Sequence, residues 1–218
     1  MAVVSRFEVA RKVVALTFDD GPDPVWTSEL LALLADDDVR ATFFALGCWI
    51  NSETRPILRG ALAAGHEIGN HTFSHPSFAQ PSLSDASASD EIVRTHVLLS
   101  EIGDVKPTLI RPPFGHAPAR VDRLASEFGY RATVMYEEPP SGDWDQPPAH
   151  TIVQSVVDSA KPGSIILLHD GCDPTRRGQS RRATVEAVRR LIPALRARGF
   201  EFATVTELLN EAKAQSES

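Results

Sequence analysis

Two adjacent carboxylates, Asp19 and Asp20, end the apolar run Val13-Val14-Ala15-Leu16-Thr17-Phe18 and are followed by Gly21-Pro22. Side chains alternate along a strand, so neighbouring aspartates point in different directions and can divide two tasks, metal ligation and proton transfer. His71-Thr72-Phe73-Ser74-His75 places two imidazoles four positions apart, on one face if the segment makes a helical turn. Such a pair can bind Zn²⁺ through ring nitrogen, and one aspartate could complete a protein triad that leaves a position open for water. Arg111 and His169 each close a further apolar run and offer a fixed cation and a proton donor. Together these are the parts of one-metal hydrolysis. A cation lowers the pKa of water and polarises a carbonyl, a carboxylate takes the water proton, and an imidazole protonates the leaving group. Each part also has a bland reading. Aspartates at a turn accept backbone hydrogen bonds, arginines pair with surface acids, and histidines sit at caps and surfaces. Their joint placement at strand ends favours the chemical one.

The elements that must position these residues alternate short apolar runs with longer one-sided ones. Strands are predicted at 13–19, 41–46, 67–69, 107–111, 130–136, 164–169 and 201–205. Helices are predicted at 28–35, 54–64, 85–102, 119–128, 152–160, 185–197 and 206–212, with Pro56 in a first turn and Gly65 and Gly129 as stops. Fully apolar strands separated by amphipathic helices require a parallel sheet covered by helices. The expected class is α/β, a distorted (β/α) barrel of about seven parallel strands, with a doubly wound open sheet as the competitor. In a parallel barrel the loops after the strands share one rim, so groups distant in sequence would converge there.

Composition bounds the rest. The 218 residues can form a single domain, with a core expected over about 13–209 and a loose tail at 213–218. A net charge of -7 argues against general nucleic-acid binding. No apolar stretch reaches the length of a membrane span, and Met1 to Lys12 lacks the apolar core of a signal peptide. Cys48 and Cys172 are the only cysteines; they could pair if the fold brings them together, although Cys48 reads as a small buried hydrophobe.

From about Val13 to Leu209 the chain closely resembles the NodB-like polysaccharide deacetylases, carbohydrate esterase family 4. The motifs are Thr17-Phe18-Asp19-Asp20-Gly21-Pro22, His71-Thr72-Phe73-Ser74-His75, Arg111-Pro112-Pro113-Phe114-Gly115, Asp143-Trp144 and Leu167-Leu168-His169, in the family's order. The resemblance implies a NodB-type barrel in which Asp19 is the catalytic base and Asp20, His71 and His75 hold one divalent metal ion. Arg111 would orient Asp19, the Phe114 backbone N–H would face the oxyanion, and His169 would be the general acid, oriented by Asp143. Trp144 would line the groove and Leu167 the acetyl-methyl pocket. Tyr136 to Gly142 departs from the family pattern upstream of Asp143.

Zn²⁺ suits the nitrogen and oxygen donors, as would Co²⁺ or Ni²⁺. The expected partner is an N-acetylated or O-acetylated carbohydrate: chitin oligomers, peptidoglycan or acetylxylan. A small aminosugar metabolite and a non-catalytic carbohydrate-binding barrel are the alternatives. A matched base and acid argue against the last, because binding alone needs neither.

Overall fold

Strand β2 (Val13–Asp19) is buried along its whole length and pairs with three other strands. The computed structural model describes residues 2–103 and 106–216. Alternate β2 side chains face opposite ways. Val14, Leu16 and Phe18 pack into the larger core beneath the helices, while Val13 and Ala15 join a second core inside the curled sheet. That parity carries Thr17 and Asp19 onto the inner surface. β7 (Ile165–His169) repeats the pattern: Ile166 and Leu168 face the helices, and Ile165 lies inside.

The remaining strands are β1 (Ala2–Val4), β3 (Thr42–Ala45), β4 (Glu67–Asn70), β5 (Leu109–Ile110), β6 (Ala132–Val134) and β8 (Glu201–Phe202). Their order is β1-β6-β5-β4-β3-β2-β7, with β8 beside β2, and every named pairing is parallel. From β2 to β6 each strand lies beside its successor, so the order never reverses as it would in a doubly wound sheet. The sheet is therefore a curled, open half-barrel. Its edges, β1 and β7, form no ladder with each other; single bonds such as Phe7 N to Gly163 O (3.0 Å) and Glu137 N to Ile165 O (3.0 Å) lace the gap. β1 was absent from the sequence reading, because three residues beside β6 make too short a run to register.

The helices are α1 (Trp26–Asp36), α2 (Arg55–Ala63), α3 (Asp85–Gly103), α4 (Pro118–Ala125), α5 (Ala149–Ser159), α6 (Arg182–Ala197) and α7 (Val205–Ser216). The Asp23 carboxylate accepts from the Val25 and Trp26 amides at 2.8 and 2.9 Å and so starts α1. α6 continues through Pro193, held by Val185, Val188, Leu191, Ile192 and Leu195 against the outer core. Val205, Leu208 and Leu209 of α7 belong to the inner core. α7 runs through Lys213, where a loose tail was expected, as far as Ser216; residues 217 and 218 lie outside the described residues. Strands predicted at 107–111, 130–136 and 201–205 are shorter, and Val205 already begins α7. Both cysteines are free thiols, Cys172 buried and Cys48 only half-buried, because the Cys48 turn reaches the rim surface.

Candidate metal centre and active site

Asp19 is the last residue of β2, directly opposite His169 at the end of β7. Strand alternation alone would turn Asp20 away from Asp19. Asp20 instead adopts φ 72°, a left-handed conformation costly for a non-glycine residue, and its carboxylate swings back towards the histidines. The expected helical turn at 71–75 is not there either. Thr72 (φ 72°) and His75 (φ 63°) fold the segment as an irregular loop, and this geometry, not an i,i+4 face, brings the imidazoles together.

His71 Nε2 lies 3.5 Å and His75 Nε2 3.2 Å from Asp20 Oδ1, and His71 Nε2 lies 3.7 Å from Asp19 Oδ2. One ligand atom from each of Asp20, His71 and His75 falls within 4.8 Å of the other two. Asp20 Oδ1 is buried and in hydrogen-bond geometry with neither imidazole. Buried polar atoms are normally paired, so a donor set crowded around a common point without satisfying itself fits a divalent cation. Charge points the same way: two carboxylates, each no more than 5% exposed, face one fixed cation, Arg111, which pairs with Asp19 alone. Burial would raise the Asp20 carboxyl, but His71 and His75 hold it well below the usual carboxylate range. Burial pushes His75 down to about 4 and keeps its ring neutral for ligation. His71, also disfavoured by burial, is raised by the carboxylates around it. Its Nδ1 donates to the Arg111 carbonyl at 2.9 Å, which leaves Nε2 as the lone-pair nitrogen facing Asp20.

Arg111 is fully buried beneath Asp19. Its Nη1 donates to Asp19 Oδ1 (2.7 Å) and Thr17 Oγ1 (2.8 Å), Nε to Val134 O (3.2 Å) and Nη2 to Met135 O (3.0 Å), with the guanidinium over the Phe44 ring. A fork anchored at four points fixes one oxygen of Asp19 and leaves Oδ2 towards the metal cluster.

Across the cleft, His169 Nδ1 donates to Asp143 Oδ1 (2.7 Å) and the His169 amide donates to Oδ2 (2.8 Å). Ser141 and Thr184 hydroxyls donate to the same carboxylate at 3.1 and 2.8 Å. Burial opposes charge on His169, but Asp143 overrides it and raises the imidazole to about 9. His169 therefore holds a proton at neutral pH.

The cleft between these groups has a volume of about 380 Å³. Phe114, Trp144 and Leu167 form its apolar walls. Phe114 is 55% exposed at φ 59°, its ring 4.5 Å from His75, and the Trp144 ring stands edge-on 5.9 Å from His169. Arg111 and Asp143 lie behind the wall and are hydrogen-bonded to Asp19 and His169. Sequence reasoning missed Thr17, Ser141, Thr184 and Asp170. Thr17 could have been found, two residues before Asp19 on the inward face. Thr184 carries no local signal, since it meets Asp143 across 41 positions. Asp170 is 1% exposed, and burial, with Asp20 and Asp19 nearby, pushes its carboxyl up to about 7 against its Thr27 hydrogen bond.

Comparison with known proteins agrees with this geometry. Residues 7–133 match the polysaccharide deacetylase family. The chain is 38% identical over 202 residues to a peptidoglycan-N-acetylglucosamine deacetylase of Bacillus cereus, covering 91% of this chain and 88% of that one. It is 37% identical over 205 residues to a chitooligosaccharide deacetylase of Sinorhizobium fredii, covering 92% and 93%. Among solved structures, a peptidoglycan N-acetylglucosamine deacetylase in complex with a 4-naphthalen-1-yl-N-oxidanyl-benzamide superposes with a TM-score of 0.84. That chain is 32% identical, with 95% of this chain and 92% of the other covered.

Proposed function

The chain belongs to the NodB-like polysaccharide deacetylase family, and on that premise we propose that it hydrolyses the acetamido groups of an N-acetylglucosamine-containing glycan. The observation that carries this reading is the two-sided cleft. An arginine-anchored carboxylate and an aspartate-anchored imidazole close neighbouring strands beside one three-ligand cluster.

Asp20, His71 and His75 would hold a divalent cation, which we take as Zn²⁺ from the borderline-soft imidazole donors. Bound there, it would supply Lewis acidity and acidify a water. Asp19 Oδ2 takes the proton of the attacking water while Oδ1 stays on Arg111. His169 donates from Nε2 to the departing nitrogen, because Nδ1 is committed to Asp143. An amine leaves poorly unless protonated, so the acid matters most for an amide. The Phe114 backbone N–H is assigned to the oxyanion, Trp144 to the sugar face and Leu167 to the acetyl methyl.

Acetate release from N-acetylglucosamine oligomers, glycan strands of peptidoglycan and acetylxylan by the Zn²⁺-loaded protein tests the reading. Release from the first two above the third is expected. No release from any amide or ester, with metal shown to be bound, rejects it. Turnover confined to soluble aminosugar monomers would replace the polymer with a metabolite.

A further inference from the structure

Nothing in the mechanism above uses Asp170, a buried carboxylate next to the site. Its Oδ1 accepts from the Gly21 amide at 3.1 Å and its Oδ2 from the Thr27 hydroxyl at 2.6 Å. Thr27 Oγ1 in turn accepts from the Asp23 amide at 2.8 Å, and Asp23 caps α1. On the other side, the amides of Asp170 and Gly171 both donate to the Asp19 carbonyl, at 3.1 and 3.3 Å. The peptide after Asp20 is thus clamped between the end of β7 and the first turn of α1. The fit is close. A Cβ on Gly21 would fall on the Asp170 carboxylate, and one on Gly171 would fall on the Asp20 carbonyl. Asp20, inside this clamp, is the residue with φ 72° whose carboxylate must turn back to meet His71 and His75.

A left-handed conformation is uncommon for a residue with a side chain and persists where the surroundings over-determine it. Asp20 Oδ1 makes no hydrogen bond that could hold the turn, whereas the Asp19 carbonyl before it and the Gly21 amide after it are both bonded. We propose that Asp170 is a positioning residue for the metal site: with Thr27 it holds the Asp20–Gly21 peptide in the left-handed turn that aims the Asp20 carboxylate at the histidines. The inference rests on Asp20, His71 and His75 being the metal ligands. It adds a buried support that reaches the ligand through its backbone.

Zn²⁺ affinity of the full chain, measured by competition with a chromophoric chelator, tests it apart from activity. Asp170→Asn keeps the shape but turns one acceptor into a donor. Thr27→Val removes the hydroxyl linking Asp23 to Asp170. Loss of outer-shell support typically weakens metal binding about 10–100-fold. Asp170→Asn is expected to fall in that range and Thr27→Val to lose a smaller factor, with an altered Co²⁺ absorption band in both. A purely structural role would lower the melting temperature of the metal-free protein and leave affinity and band unchanged; that result overturns the proposal. If Asp170→Asn does not fold, Thr27→Val decides alone, and Zn²⁺ affinity within twofold of the unmodified chain rejects the brace. Asp20→Ala is the control for the premise: undiminished Zn²⁺ binding there removes the ligand assignment itself, and the brace with it.

Discussion

At the scale of single residues, the proposed function gives ligation and proton transfer to different side chains. Asp19 and Asp20 are neighbours, yet one is anchored to Arg111 and the other faces two imidazoles. Asp19→Asn should therefore keep Zn²⁺ and lose turnover by about 10²–10⁴-fold, the usual weight of a general base. Parallel metal analysis and acetate-release kinetics check this, and normal turnover would remove Asp19 from the base role. His169 gives a pH dependence of definite sign. Its pKa is raised to about 9, so the proton needed by the leaving group is present at neutral pH and is lost as pH rises. A bound cation repels imidazolium and draws the limb below that value. kcat on an amide substrate should thus fall at high pH with a limb at or below about 9. Asp143→Asn, which deletes the stabilising charge, should move that limb to lower pH. A limb that stays in place would exclude His169 as the titrating acid.

Elements explain why these residues meet. β2 and β7 run side by side in register, so two residues 150 positions apart in sequence, Asp19 and His169, close the same rim. Inner-face parity of β2 sets Asp19 above Thr17, and Arg111 reaches both from the end of β5. The joint between β7 and the amino-terminal segment is equally tight. Gly163 has φ 79°, and a Cβ there would run into the Phe7 carbonyl, which accepts no substitute for that close approach. Gly163→Ala should cost about 2–4 kcal/mol, combining left-handed strain with overpacking. A lowered urea midpoint with unchanged Zn²⁺ affinity is the expected signature. An unchanged midpoint would mean that this edge contributes little to holding the sheet closed.

For the whole molecule, folding and metal binding should be linked. The three residues of the candidate metal cluster follow the ends of β2 and β4, so an ion held by them would bind the folded chain in preference to the unfolded one. A free concentration one hundred times Kd stabilises by about 2.7 kcal/mol, which for a chain of this size is about 5–10 °C in melting temperature. Chelation should lower Tm by that amount, and Asp20→Ala should abolish the response. The barrel should survive removal of the ion, because its two main cores, one under the helices and one closed by Val205, Leu208 and Leu209 of α7, contain none of the ligands. Loss of far-ultraviolet circular dichroism on chelation at room temperature would contradict that.

Residue types in order along the chain were enough to pick out the side chains that meet in the cleft and the alternation of strands and helices. Carboxylates, imidazoles and arginine at the ends of apolar runs carry that information locally, and the full burial of β2 is visible in the nearly unbroken apolar run from Val13 to Phe18. The motif resemblance added roles that spacing alone left open, such as the assignment of Asp143 to His169. What needed the tertiary structure was conformation at junctions and contact at long range. Asp20 turns back through a left-handed φ beside a Gly21 amide held by Asp170, and His71 and His75 meet through an irregular loop whose Phe73 and Ser74 amides donate to Glu91. Thr184 supports Asp143, and Asp170 grips Gly21, across distances in sequence where no periodicity exists to be read. Alternation is a property of the chain itself; the compensation of strain belongs to its neighbours, and neighbours exist only once the sheet has curled.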